Sequence, residues 1–244
     1  MTRQSEQLLL SLRPRPAITF ESFVVDAHNA ATLHALRAWL QLPQGGVFFI
    51  AGPSGSGRSH VLQAASTLVD GAVYLPLAEL QSFDAHALLE GLEQAPLLCL
   101  DDIDAVTGQS TWCEALFHCF NRQIYHRQDD AAPMTAATKW LVSAQVPAMQ
   151  LHCALPDLRS RLSWGGSFRL APLDDAGRQR MLQLHAQQRG MTISDELASY
   201  ILQRHSRDAS ALLALLERID RESLRDKQRV TIALVRKLLE DSAR

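Results

Sequence analysis

Residues 52–59 read GPSGSGRS and join two segments of opposite character. The spacing is Gly, four residues, Gly, a basic residue and Ser, which is the outline of a phosphate-binding loop. Glycines let the backbone turn its N–H groups toward phosphate oxygens, at the positive end of the helix that follows. The glycines placed to do this are Gly52, Gly55 and Gly57. Ser59 is placed to ligate Mg²⁺, and Arg58 stands where lysine is usual.

The segments on either side predict the strand–loop–helix order that such a loop requires. Residues 45–52 read GGVFFIAG, an unbroken apolar run that is typical of a strand buried on both faces. Residues 59–69 read SHVLQAASTLV and have helical periodicity. Glycine-rich turns between strands and helices also occur for packing reasons, so the loop alone leaves that alternative open.

A second motif lies at residues 96–104, PLLCLDDID, where an apolar strand ends in Asp101 and Asp102. Ligands of α/β proteins bind at the carboxyl ends of the strands. Asp101 suits Mg²⁺ binding, directly or through a water, and Asp102 suits nucleotide binding or the orientation of a water near the γ-phosphate. The alternative is a pair of aspartates that only caps the strand. Together, the two motifs predict a nucleotide-binding protein.

The pattern along the chain predicts a domain organisation. Strands alternate with helices up to Pro172, which indicates an α/β domain with a parallel sheet. From Leu173 onward only helical patterns occur. We therefore predict a flexible tail over 1–16, a nucleotide-binding α/β domain over 17–172 and a helical lid domain over 173–244.

The composition excludes several classes of function. A net charge of −2 without a polybasic run argues against direct, sequence-specific DNA binding. No apolar run is long enough to span a bilayer, which predicts a protein without a membrane partner. The four cysteines lack the spacing of a metal site or a disulfide framework, so we expect buried thiols in a reducing cytoplasm: Cys99, Cys113, Cys119 and Cys153.

Three segments together resemble the DnaA family of AAA+ proteins over nearly the whole chain. They are TFESFVVDAHNAA at 19–31, GPSGSGRSH at 52–60 and PDLRSRLSWG at 156–165. Arginine at the lysine position is similar to the regulatory inactivators within that family. The resemblance implies an AAA+ P-loop NTPase-type parallel sheet with a C-terminal all-helical lid, and bound ADP or ATP with Mg²⁺. The nucleotide-binding residues that it implies are Phe23, Val24, Val25, Asn29, Gly52, Gly55, Gly57, Arg58, Ser59, His60 and Asp102, with Asp26 in place of the family's usual glycine.

The resemblance also implies two contacts with partners. The segment QLLLSL is similar to the family's motif for docking on the β sliding clamp, with Gln7, Leu8, Leu10 and Leu12 at matching places. Arg161 falls on the arginine finger, which would act in trans on ATP bound to DnaA. From the residues alone, the alternative is a surface salt bridge among the residues RSR, since Arg159 lies two positions away.

The chain departs from the family at positions near the γ-phosphate. Ala144 stands at the sensor-1 aspartate and Ser210 near the sensor-2 arginine, although Arg207 lies one turn earlier. With Arg58 in the loop, these departures predict that the protein carries ADP and has little hydrolysis of its own.

Two functions follow from this reading. The first is an ADP-bound regulator that docks on the DNA-loaded sliding clamp and stimulates ATP hydrolysis by DnaA, preventing re-initiation. The alternative, favoured by Asp101 and Asp102, is a standalone AAA+ ATPase that acts as a loader or remodeller in replication. A DNA-binding initiator is disfavoured, because the resemblance includes no helix-turn-helix domain. Assembly into homo-oligomers is left open.

Overall fold

The computed structural model describes residues 18–125, 138–226 and 230–241. The clamp-like motif at residues 7–12 lies outside these ranges. The chain divides into two compact units. Of the described residues, the first unit contains those up to Phe20, Ala27–Pro53 and the described part of Gly57–Ala171, and the second contains Glu21–Asp26, Ser54–Ser56 and the described part of Pro172–Arg244.

The first unit is built on a five-stranded sheet in which every described pair of strands is parallel. Its strands are β1 (Gly46–Ala51), β2 (Val73–Pro76), β3 (Leu97–Asp101), β4 (Lys139–Ala144) and β5 (Ser167–Arg169), in the order β2-β3-β4-β1-β5. Because parallel strands share a direction, their carboxyl ends meet at one edge, where Ala51 pairs with Ala144. The predicted α/β parallel sheet is confirmed.

Helices flank this sheet, as the apolar runs of the strands require. They are α1 (Ala30–Gln41), α2 (Arg58–Leu68), α3 (Leu77–Leu80), α4 (Ala85–Leu89), α5 (Ser110–Tyr125) and α6 (Pro156–Leu162). The sequence predicts one helix over residues 84–95, but α4 ends at Leu89 and a 3-10 turn follows at Leu92–Gln94. The break comes at Gly91, whose φ of 80° is left-handed and ends a right-handed helix.

The core of the first unit is dominated by large side chains from the sheet and α5. Trp112, Trp140 and Phe49 are almost fully buried. Phe48 stacks on Phe168 with ring centroids 4.1 Å apart, which fastens β1 to the short edge strand β5. Three of the four cysteines are buried free thiols, as predicted, whereas Cys153 is partly exposed.

The second unit is helical and has a core of its own. Its helices are α7 (Asp175–Gln188), α8 (Asp195–Arg204), α9 (Ala209–Asp226) and α10 (Ile232–Asp241). Asp174 and Ser194 cap α7 and α8 by accepting hydrogen bonds from the N–H groups of Gly177 and Leu197. The predicted all-helical lid is confirmed. None of the helices described in either unit is long and apolar enough to cross a membrane.

Candidate nucleotide-binding site

The glycine-rich loop follows β1 and leads into α2, as the sequence predicts. Gly55 and Gly57 have φ of 74° and 90°, values that side chains disfavour. A Cβ on Gly55 would lie 2.8 Å from an Oδ2 atom of Asp208, in the same unit. The Gly52 N–H donates to the Ala144 carbonyl at 3.1 Å, so the start of the loop is fixed to the end of β4. The backbone of this loop has the shape that a phosphate group requires.

Arg58 is the first residue of α2 and is buried. Its guanidinium donates to the Gly52 carbonyl and also to the Asp102 carboxylate, the latter at 2.5 Å. From the sequence we expect this cation to contact phosphate. In the structure it contacts the backbone of the loop and a carboxylate. The basic residue of the loop and the second aspartate of the other motif therefore form one ion pair.

Two polar atoms of the loop lack hydrogen-bond partners among the described residues. They are the Ser56 hydroxyl and the Arg58 Nε, and both are buried. Buried donors are almost always satisfied by protein, water or ligand. Two donors beside left-handed glycines and a helix N-terminus fit an anion such as a nucleotide phosphate.

Asp101 lies at the end of β3 and is held by two hydroxyl groups. Tyr74 donates to Asp101 Oδ2 at 2.7 Å, and Ser143 donates to Oδ1. Burial and the negative charge of Asp101 raise the pKa of Tyr74, which keeps its hydroxyl protonated as a donor. Ser143 also accepts from the Asp102 N–H at 2.9 Å, so one serine on β4 orients both aspartates.

This arrangement bears on the predicted Mg²⁺ ligands, Ser59 and Asp101. Because both oxygens of Asp101 already accept hydrogen bonds, the geometry favours contact with a cation through water over direct ligation. Within the described ranges no three His, Cys, Asp or Glu side chains cluster as a metal site. An ion shared with nucleotide phosphates needs only one or two protein ligands, so the residues fit Mg²⁺ of that kind.

Asp102 has an unusual backbone and an unusual acidity. Its φ of 52° makes it the one left-handed non-glycine residue among those described. Burial and the neighbouring charge of Asp101 raise the pKa of Asp102, and the hydrogen bond and charge of Arg58 oppose that rise. Such perturbation is typical of functional sites.

The residues predicted for the adenine side divide between the two units. Asn29 is buried in the first unit, and its carbonyl accepts the Leu33 N–H at the start of α1. The His60 ring bonds to the Thr19 carbonyl at 2.9 Å, and burial lowers the pKa of His60, which favours a neutral ring. The second unit holds Phe23, Val24 and Val25. Of these, Val24 packs on the lid core and Val25 is half exposed.

Arg161 lies near the end of α6 against three aromatic rings. Its guanidinium carbon is 4.3 Å from the Trp164 ring centroid, 5.7 Å from that of Phe117 and 5.8 Å from that of Phe120. No carboxylate in the described part of the chain forms an ion pair with it, so the surface salt bridge left open by the sequence is not found there. The rings hold the cation without neutralising its charge.

The residues at and near the predicted sensor positions are engaged within their own units. Ala144 is buried at the end of β4. Ser210 donates its hydroxyl to Asp208 at the start of α9. Arg207 pairs with Asp175 at 3.3 Å within the lid.

Sequence reasoning missed Ser143 and Tyr74, which hold the aspartates. Both are polar residues inside otherwise apolar strands, and this break in the apolar pattern is the sequence feature that could have identified them. Their partners lie 42 and 27 residues away, respectively.

Known proteins match this chain in sequence and in fold. A family model for the lid domain of Hda matches residues 175–239. An uncharacterized protein of Haemophilus influenzae is 37% identical over 239 residues, covering 96% of this chain and 99% of that protein. Domain III of the Thermotoga maritima replication initiation protein DnaA superposes with a TM-score of 0.74 at 19% identity, covering 93% of this chain and 97% of that one.

AMPPCP-bound DnaA from Aquifex aeolicus superposes with a TM-score of 0.67 at 20% identity, covering 84% of this chain and 66% of that one. At such identities the two solved structures establish the fold alone, while the lid match and the Haemophilus relative rest on sequence. The parallel sheet, the phosphate loop and the matched lid agree with one another: the chain belongs to the Hda/DnaA-like AAA+ proteins.

Proposed function

We propose that this protein is an ADP-bound regulator of replication initiation that acts on the ATP held by DnaA. The Hda-type lid and the DnaA-like fold support a DnaA-related replication regulator. The Aquifex aeolicus DnaA of this fold binds AMPPCP, which supports a bound nucleotide in this protein as well.

The ion pair of Arg58 with Asp102 is the observation that carries this proposal. Hydrolysis at a phosphate loop needs a cation on the β- and γ-phosphates and a group that orients the attacking water. In this chain the two residues at those positions neutralise each other at 2.5 Å. The arrangement supports a protein that holds a nucleotide better than it hydrolyses one. We expect ADP to bind more tightly than ATP, because the wide guanidinium beside the loop crowds a γ-phosphate.

The bound nucleotide would rest on the backbone of the loop. Gly55 and Gly57 would present N–H groups to the phosphates, and the Ser56 hydroxyl is a further donor with no partner among the described residues. Mg²⁺ would be held by Ser59 and, through a water, by Asp101. The cation would offset phosphate charge beside Asp102.

The chemistry would take place on the partner. Arg161 keeps its charge while lying on aromatic rings, so it is available to stabilise negative charge on ATP bound to DnaA. Docking on the β sliding clamp on DNA would use the segment with Gln7, Leu8, Leu10 and Leu12, which would lie as an extended peptide in an apolar cleft. That segment is outside the described residues and stays a prediction from the sequence.

The test is hydrolysis of DnaA-bound ATP in the presence of clamp on DNA. We expect Arg161→Ala to lose the stimulation, which for arginine fingers is roughly 10³–10⁵-fold. Arg161→Lys should restore little, because an ammonium lacks the planar fork. Thermal unfolding of both variants separates loss of the charge from loss of packing on the rings.

Arg159→Ala, on the same helix, is the matched control and should stimulate normally. Normal stimulation by both alanine variants would contradict a trans-acting arginine. Loss in Arg159→Ala with normal stimulation by Arg161→Ala would assign the role to the other arginine.

The alternative of a standalone ATPase is favoured by one observation. Asp101 and Asp102 lie at the carboxyl end of β3, an interior strand of the sheet, and Asp102 forms an ion pair with Arg58 of the phosphate loop. Steady multiple turnover of ATP by the purified protein, without DnaA, would support this alternative over the regulator.

A further inference from the structure

Two cysteines outside the nucleotide site lie side by side. The Sγ atoms of Cys113 and Cys153 are 3.7 Å apart, although 40 residues separate them in sequence. Cys113 is buried on α5, and Cys153 is partly exposed in the segment that leads into α6. All four cysteines are in the described part of the chain, and neither Cys99 nor Cys119 has a second cysteine within hydrogen-bond distance.

We propose that Cys113 and Cys153 form a reversible disulfide when the protein is exposed to a peroxide. A disulfide has sulfurs about 2.05 Å apart, so the two atoms must approach by about 1.7 Å from their distance of 3.7 Å. Cys153 follows the 3-10 turn Ala148–Gln150 and precedes α6, so it lies in a short segment outside any helix or strand. Such a segment can supply a shift of this size by small changes in its dihedral angles.

The environment distinguishes the two thiols. The hydrogen bond with Cys113 lowers the pKa of Cys153, burial opposes that shift, and the backbone N–H and charge of Arg159 act in the same direction as the hydrogen bond. The same hydrogen bond, together with burial, raises the pKa of Cys113. Cys153 is therefore the more acidic and the more accessible member of the pair, and Cys113 is the less acidic and buried one.

The reaction has two balanced steps. In the first, the Cys153 thiolate attacks a peroxide oxygen, the O–O bond breaks, and a sulfenic acid and hydroxide form. In the second, the Cys113 sulfur attacks the Cys153 sulfur, the S–S bond forms and the S–O bond breaks. The departing hydroxyl leaves as water with the proton of Cys113. Two thiols are oxidised by two electrons, and the peroxide is reduced.

The bond would join α5 to the short segment that leads into α6. These helices carry the aromatic contact of Arg161, since Phe117 and Phe120 lie on α5 and Arg161 on α6. The disulfide would therefore hold together the two elements that position this arginine. The proposal of the bond itself does not depend on the role of Arg161.

The test is treatment of the reduced, full-length protein with hydrogen peroxide, followed by peptide mapping under non-reducing conditions. We expect a linked pair of peptides containing Cys113 and Cys153, with a mass lower by two hydrogen atoms and reversed by dithiothreitol. Cys153→Ser should abolish the link. Cys119→Ser, a buried thiol on the same helix as Cys113, is the control and should retain it.

A variant with only the attacking thiol gives a second readout. Cys113→Ser, which keeps a hydroxyl donor beside Cys153, should leave a sulfenic acid at Cys153 that a dimedone probe labels, because no neighbouring thiol removes it. Peroxide treatment that yields no link in the wild type, or a link that persists in Cys153→Ser, would overturn the proposal.

Discussion

Arg58 shows what a change of one residue does to a phosphate loop. Its planar guanidinium donates in two directions at once, to the Gly52 carbonyl and to the Asp102 carboxylate. A lysine ammonium is a compact point charge on a flexible stem and lacks that fork. With arginine in place of lysine, the loop is therefore hydrogen-bonded to Asp102, the residue that follows β3.

A charge change at Asp102 tests the ion pair. Asp102→Asn keeps the side-chain shape but removes the negative charge that competes with phosphate for Arg58. We expect tighter ADP binding, by up to about tenfold, which corresponds to about 1.4 kcal/mol. Isothermal titration calorimetry measures the affinity. Asp104→Asn is the control, since Asp104 contacts the Gln145 N–H and not Arg58. An equal gain in ADP affinity in both variants would indicate that removal of any nearby negative charge has this effect, without a special role for the ion pair.

At the scale of elements, sequence periodicity predicts the strands and the helices because it records which faces are buried. It does not predict which residues meet across the sheet. Ser143 contacts Asp101 only because β3 and β4 are adjacent and in a particular register. The Arg58–Asp102 pair spans 44 residues because β1, which leads into the loop, and β3 both pair with β4. The residue types of the site were thus predictable, whereas their partners depend on tertiary pairing.

Asp208 allows a prediction for one lid helix. Its carboxylate caps α9 by accepting from the N–H groups of Ser210 and Ala211 at 3.0 and 3.1 Å. Asp208→Ala should destabilise the protein by about 1 kcal/mol at neutral pH, as loss of such caps does. Asp220→Ala, further along the same helix, should cost less. Urea unfolding followed by circular dichroism measures the difference.

The destabilisation caused by Asp208→Ala should depend on pH. The Ser210 hydroxyl and the two backbone N–H groups lower the pKa of Asp208. A carboxyl whose folded pKa is lowered stabilises the fold above its unfolded value, about 3.9, and loses that contribution as the pH falls through the folded value. The difference in free energy of unfolding between wild type and Asp208→Ala should therefore fall toward zero below about pH 4. A difference that stays constant down to pH 2 would contradict the cap.

At the scale of the whole molecule, two units have separate hydrophobic cores and separate sequence signatures. The α/β unit contains the loop and the aspartates, and the helical unit contains the match to the Hda lid. The net charge of −2 offers little attraction to DNA phosphates. A regulator built this way would reach DNA through a protein partner, and the segment before residue 18 is the predicted contact.

A triple substitution in that segment tests the predicted clamp contact. Because the sequence predicts that residues 1–16 form a tail outside the folded domains, Gln7→Ala, Leu8→Ala and Leu10→Ala together should leave thermal unfolding and ADP binding unchanged. Clamp binding should be lost, because the leucines would fill an apolar cleft and the glutamine would set the register by hydrogen bonds. Pull-down on clamp-loaded DNA measures it, with Gln4→Ala and Ser5→Ala together as the matched control. Clamp binding retained by the triple variant would place the clamp contact elsewhere on the protein. Loss of clamp binding in the control as well would indicate that the general composition of the segment, and not its motif, determines binding.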